Sequence, residues 1–84
     1  MNFPRTKFVD KNGIFLQLEH IESELKELID AYWNDPIARV AEEATDLFHS
    51  VESLRRILQE KHGINLTEVD RLVTEKNRAR GYYD

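Results

Sequence analysis

The sequence predicts an all-α protein, a three-helix protomer that forms a helical-bundle dimer or tetramer. Only three glycines and two prolines interrupt the 84 residues, and the long stretches free of both suit helices. Apolar residues recur three and four positions apart, which is the spacing of one helix face. A chain this short buries only about 60–65% of its unfolded surface. Small helical chains often gain further burial by oligomerising, so we expect at least a dimer.

The chain is predicted to divide into an N-terminal arm, residues 1–13, and one helical domain, residues 14–84. Pro4 and the turn sequence at 10–13 both oppose a long helix in the arm. Phe3 and Phe8 suggest that the arm docks on another part of the molecule, which the sequence does not identify.

The first helix is predicted from Ile14 to Trp33 and the second from Pro36 to about His62. Asp35 has the side chain of a good N-cap for the second helix, and proline suits a first helical position. The first helix carries a regular apolar stripe. Its members are Ile14, Leu18, Ile21, Leu25, Leu28, Ile29 and Tyr32. The stripe of the second helix consists of Val40, Ala44, Leu47, Val51, Leu54 and Leu58.

The third helix is predicted to begin at Asn65 and to close at Gly81. Gly63 is the natural stop of the preceding helix, because glycine adopts the left-handed conformation common after a helix end. The sequence from Asn65 to Glu68 resembles a capping box.

Composition argues against several classes of function. The chain has no cysteine, which excludes disulfides and thiolate metal sites. Its net charge of −4 argues against a protein that coats nucleic acid. No apolar run approaches the length needed to cross a bilayer, and the N-terminus lacks the apolar core of a signal peptide. We therefore expect a cytoplasmic protein with no nucleic-acid or membrane partner.

Four acids in two helical pairs form the strongest functional signal. Glu24 and Glu27 share a face of the first helix, and Glu43 and Asp46 share a face of the second. Each pair lies on the same flank of its own apolar stripe, so antiparallel packing through the stripes would let both flanks border one cleft. Carboxylates holding a divalent ion suit metal-assisted attack of water on a phosphoanhydride. With sixteen acids in the chain, solvated charge is the alternative interpretation.

A basic group near the C-terminus is the second unusual feature. The apolar sector of the third helix is formed by Leu66, Val69 and Val73, and Lys76, Asn77 and Arg80 lie within or beside it. Lys76 and Arg80 could bind phosphates, and Asn77 could form a hydrogen bond with the substrate or with a carboxylate of the site. The alternative is a basic turn that complements the helix dipole. Gln17 and His20 lie on the acidic flank of the first helix, although a lone histidine is more often a surface group.

These motifs resemble those of the MazG-like all-α nucleoside triphosphate pyrophosphohydrolases. That family is marked by an acidic pair, a gap of varying length, and then Glu-x-x-Asp. Here Glu24 and Glu27 are followed, after fifteen residues, by Glu43 and Asp46. The segment 75–83 is similar to the ending of short members of the family.

The resemblance implies hydrolysis of a nucleoside triphosphate between the α and β phosphates, giving the monophosphate and pyrophosphate. It implies Mg²⁺ or Mn²⁺ as cofactor, a site often shared between subunits of a homodimer or homotetramer, and a house-cleaning role on non-canonical or surplus deoxynucleotides. The implied metal ligands and catalytic residues are Glu24, Glu27, Glu43 and Asp46. The candidate substrate-binding residues are Lys76, Asn77, Arg80 and Gln17.

The resemblance covers residues 17–83 and departs from the family at one position. The first acidic motif usually opens with two adjacent acids, and the first of these positions is Ser23 here. This departure leaves open a non-catalytic helical interaction module that has kept the fold. The segment 42–49 is also reminiscent of a different branch of the superfamily, which hydrolyses phosphoribosyl-ATP.

Overall fold

The computed structural model describes residues 1–83, which form four helices and no strand. The helices are α1 (Phe8–Lys11), α2 (Ile14–Asn34), α3 (Ile37–His62) and α4 (Leu66–Ala79). The all-α prediction is confirmed. The count of three is wrong for these residues, because the arm contains the single turn α1, which is too short to leave a periodic signal in the sequence. Within the described part of the chain, no helix is apolar over enough of its length to cross a membrane.

The helix ends follow local sequence, with one exception. Gly63 ends α3 with φ +67°, and the Asn65 side chain accepts a hydrogen bond from the Glu68 N–H at 3.1 Å. Both predictions are confirmed. The prediction that Asp35 caps α3 is wrong, because Pro36 keeps an extended backbone and occupies the N-cap position itself. The helix consequently begins one residue later than predicted.

Helices α2 and α3 pack antiparallel and form the body of the protein. The clearest link between them is Gln17, whose fully buried amide donates to the backbone carbonyl of Ser50 at 2.9 Å. The same amide accepts a hydrogen bond from Asn12, at the end of the arm. A buried polar side chain is tolerated when it is hydrogen-bonded in this way. Gln17 therefore joins the arm, α2 and α3 at one point.

The arm docks on α3. The buried carboxylate of Glu52 accepts the backbone N–H groups of Asn2 and Phe3 at 2.8 and 3.2 Å. Arg56 donates to the Phe3 carbonyl at 2.7 Å. Val9 in α1 is fully buried. The arm is thus attached to α3 in two ways. Side chains of α3 form hydrogen bonds with backbone groups of the arm, and the Val9 side chain is buried.

The apolar stripe of α2 is only partly buried, contrary to the full packing against α3 expected from the sequence. Four of its members are between 44% and 64% exposed. They are Leu18, Leu25, Ile29 and Tyr32. The buried side of α2 is instead the one that carries Gln17, Glu24 and Ala31, roughly a quarter turn away. The acidic flank therefore lies in the contact between α2 and α3. Four of the seven stripe residues are left exposed, and Ile14, Ile21 and Leu28 are half-buried.

Helix α4 touches the rest of the chain mainly near its start. Leu66 is buried, and Asp70 forms an ion pair with Arg55 of α3 at 2.9 Å. Further along α4, Leu72 and Val73 are exposed. Helix α4 therefore presents apolar surface that residues 1–83 leave exposed.

Candidate metal centre and adjoining cavity

Three carboxylates meet where α2 crosses the first half of α3. Glu24, Glu27 and Glu43 each offer one oxygen atom, and these three atoms lie within 4.8 Å of one another. The three-residue spacing places the two α2 acids on one side of their helix. Antiparallel pairing brings Glu43 opposite them. The structure thus brings together three of the four acids predicted from the sequence.

Asp46, the fourth predicted acid, lies outside this group of three. It is one turn further along α3 than Glu43 and is exposed. It still lies close enough for its charge to raise the pKa of Glu24, and both residues line the same cavity. Asp46 therefore borders the cluster on the side of the cavity.

The three acids are only partly compensated by neighbouring groups. Arg39 Nη2 lies 2.6 Å from Glu43 Oε1, and His20 Nε2 lies 3.3 Å from Glu24 Oε1. The other oxygens of Glu24 and Glu43 are buried and have no hydrogen-bond partner among residues 1–83. A buried acceptor without a partner costs about 1–3 kcal/mol. A cation held between the acids would give both of these oxygens a partner. The residues present therefore fit a divalent ion.

The pKa of Glu24 is raised above its ordinary value. Burial is the largest cause, followed by the negative charge of Glu27, and the charge of Asp46 adds to the rise. The electrostatic effect of His20 opposes it. A divalent cation would offset both the desolvation and the repulsion of the carboxylates.

The predicted phosphate-binding residues lie at the far end of α4. Lys76 and Arg80 are exposed and Asn77 is half-buried. Within the described residues, none of the three forms a hydrogen bond or an ion pair with the acidic cluster. A single chain therefore does not bring them into direct contact with the acids.

Gln17 occupies a different place from the one its predicted substrate role requires. Its side chain is fully buried, and both ends of its amide are hydrogen-bonded to protein groups. This position gives Gln17 a structural role in joining α2 to α3 and the arm. Ser23, at the departure from the family motif, is exposed and donates its hydroxyl to the carbonyl of His20 at 2.7 Å.

A cavity of about 320 Å³ adjoins the acidic cluster. It is lined by Thr6, Phe8, His20, Glu24, Asp46, His49, Ser50 and Ser53. Sequence reasoning missed most of these residues. The four-residue spacing of His20 and Glu24 was a usable signal, since such pairs are neighbours on a helix. Thr6 and Phe8 gave no such signal, because their position depends on docking of the arm.

The fold and the cluster together define an all-α protein with a candidate divalent-cation site between two antiparallel helices. The model of one protein family, the MazG nucleotide pyrophosphohydrolase domain, matches residues 16–82. The chain belongs to this family, which confirms the resemblance seen in its acidic pairs and points to a nucleotide pyrophosphohydrolase. Comparison with curated proteins and with solved structures gives no match. The matched region contains nearly all of α2 and the whole of α3 and α4, and it leaves out the arm.

Proposed function

We propose that the protein is a metal-dependent nucleoside triphosphate pyrophosphohydrolase that releases the monophosphate and pyrophosphate. The observation that carries this proposal is the cluster of Glu24, Glu27 and Glu43, with two buried carboxylate oxygens that have no partner within residues 1–83. Family membership supports the reaction class. The cytoplasm, where such substrates are abundant, stays the predicted compartment.

The acids would hold Mg²⁺ or Mn²⁺, with Asp46 as a fourth ligand from the side of the cavity. The bound ion would supply positive charge at the phosphate oxygens and a more acidic water molecule. Arg39 would help to hold Glu43 in place through its 2.6 Å ion pair with that carboxylate. If Asp46 stays outside the coordination shell, it is the exposed acid best placed to accept the proton of the attacking water.

The active protein is proposed to be a homodimer or homotetramer. The exposed residues of the α2 stripe and the exposed apolar residues of α4 are surfaces that a second copy would cover. Such an assembly also offers a route by which Lys76, Asn77 and Arg80 of one subunit approach the acids of another. The two cations would then neutralise the triphosphate, and Asn77 would hydrogen-bond to it.

The test is pyrophosphate release from all ribo- and deoxyribonucleoside triphosphates, dUTP and phosphoribosyl-ATP, with Mg²⁺ and then with Mn²⁺. Glu43→Gln is the matched blank, because it removes one charge and keeps the shape of the side chain. We expect pyrophosphate and the matching monophosphate from the wild type and neither from the variant. Release from phosphoribosyl-ATP alone would move the protein to the other branch of the superfamily. No release from any substrate by folded, metal-loaded protein would reject the proposed function and favour an interaction module.

A further inference from the structure

We infer that the N-terminal arm forms one wall of the nucleoside pocket of this site, with Phe8 as the side chain that contacts the nucleoside. The ligand's identity rests on the proposed function, whereas the pocket itself rests on the cavity described above. The whole arm, residues 1–13, lies outside the region that matches the family, residues 16–82. The contact therefore concerns a part of the chain to which family membership assigns no role.

The cavity has the size and position that such a pocket requires. Its volume of about 320 Å³ lies at the lower end of the range of ligand pockets, about 300–1,000 Å³. Glu24 and Asp46 line it on the side of the acidic cluster, whereas Thr6 and Phe8 line it from the arm. A nucleotide whose phosphates lie at the acids would accordingly direct its nucleoside toward the arm.

The lining has the chemistry of a nucleoside site and differs from that of a phosphate site. The Phe8 ring is half-buried, and its centroid lies 4.9 Å from that of His20 at an interplanar angle of 36°. Aromatic rings of this kind stack on nucleobases. The hydroxyls of Thr6 and Ser53 hydrogen-bond to each other at 2.9 Å, which leaves one hydroxyl hydrogen and the remaining lone pairs for polar edges of a ligand. None of the eight lining residues is lysine or arginine, so the cavity wall lacks the cations that bind phosphate best.

The arm is held firmly enough to serve as a wall. The hydrogen bonds from Asn2 and Phe3 to Glu52 and the burial of Val9 attach both of its ends to α3. The Phe3 ring also stacks on His49, itself a lining residue, at a centroid distance of 4.5 Å. A pocket wall supported by such contacts is largely formed before the ligand arrives, which reduces the entropy cost of binding.

The test is isothermal titration calorimetry with the eight canonical ribo- and deoxyribonucleoside 5′-monophosphates and with inorganic pyrophosphate, all with Mg²⁺. The variants are Phe8→Ala, Phe8→Leu, which keeps most of the apolar volume without the ring, and Lys7→Ala. Lys7 is the matched control, because it is exposed in the same arm and does not line the cavity. Since stacking on an aromatic ring contributes strongly to base binding, we expect both Phe8 variants to bind the preferred monophosphate about tenfold more weakly. Pyrophosphate binding should be unchanged in all variants.

Each outcome separates the pocket from the proposed function. Wild-type affinity for monophosphates in Phe8→Ala would overturn the pocket, even if the wild type hydrolyses triphosphates. Wild-type affinity in Phe8→Leu would also overturn it, since arm packing alone would then account for any loss in the alanine variant. No binding of any monophosphate by the wild type overturns the pocket as well. Binding that depends on the Phe8 ring, in a protein that releases no pyrophosphate, would support the pocket and reject the hydrolase.

Discussion

Replacing Glu24 by glutamine should stabilise the metal-free protein and abolish its stabilisation by metal. The three carboxylate oxygens lie within 4.8 Å of one another. Two unit charges about 5 Å apart repel by about 3 kcal/mol at an effective dielectric constant of about 20. Solvent screens Glu27, which is exposed, and Arg39 offsets part of the charge of Glu43. A net gain in the free energy of unfolding of about 1–2 kcal/mol is therefore expected.

For a domain of this size, each kcal/mol raises the melting temperature by about 4–8 °C. The assay is thermal unfolding in EDTA and then with Mn²⁺. At a hundredfold excess over its dissociation constant, a ligand that binds only the folded state adds about 2.7 kcal/mol. The wild type should show this Mn²⁺ shift, and Glu24→Gln should show almost none. Glu22→Gln is the matched control, because it removes the same charge from a side chain on the same helix that is 71% exposed.

The pH dependence of the metal-free protein gives the same test a second readout. Because the pKa of Glu24 is raised in the folded state, that state binds the proton more tightly than the unfolded chain does. The contribution of the Glu24 carboxyl to wild-type stability is therefore fully present below its ordinary pKa of 4.5. This contribution is lost as pH rises through the raised pKa of the folded state. The stability advantage of Glu24→Gln should accordingly widen as pH rises above 4.5. A variant that melts below the wild type in EDTA, or that keeps the full Mn²⁺ shift, would refute the reasoning.

Two further predictions concern the substrate and the assembly. Lys76→Ala should raise KM more than it lowers kcat in steady-state pyrophosphate release, because its proposed contact with the triphosphate is equal in the ground and transition states; a pure loss of kcat would contradict that assignment. If the proposed oligomer forms through the exposed residues of the α2 stripe, Ile29→Glu should convert it to a folded monomer in analytical ultracentrifugation, because the substitution places a charge in that interface. A wild-type sedimentation profile would place the interface elsewhere.

Several features of this protein follow from local sequence and are readable without the structure. The three- and four-residue spacing of apolar residues predicts the long helices, and Gly63 and Asn65 mark the junction of α3 and α4. The acidic pairs are visible for the same reason, since residues three apart share a helix face whatever the helix packs against. These signals depend on backbone preferences and on interactions within about one helical turn.

Tertiary structure alone decided which side of α2 is buried and where the arm lies. The apolar stripe predicted Leu25 and Ile29 inside, yet the buried side carries Gln17 and Glu24. Rotation of a helix about its axis is set by contacts between residues far apart in sequence, such as the hydrogen bond from Gln17 to Ser50. The docking of the arm on Glu52 likewise joins residues about fifty positions apart. Helical periodicity carries no information on such pairings, so the cavity beside the acids became visible only in the folded chain.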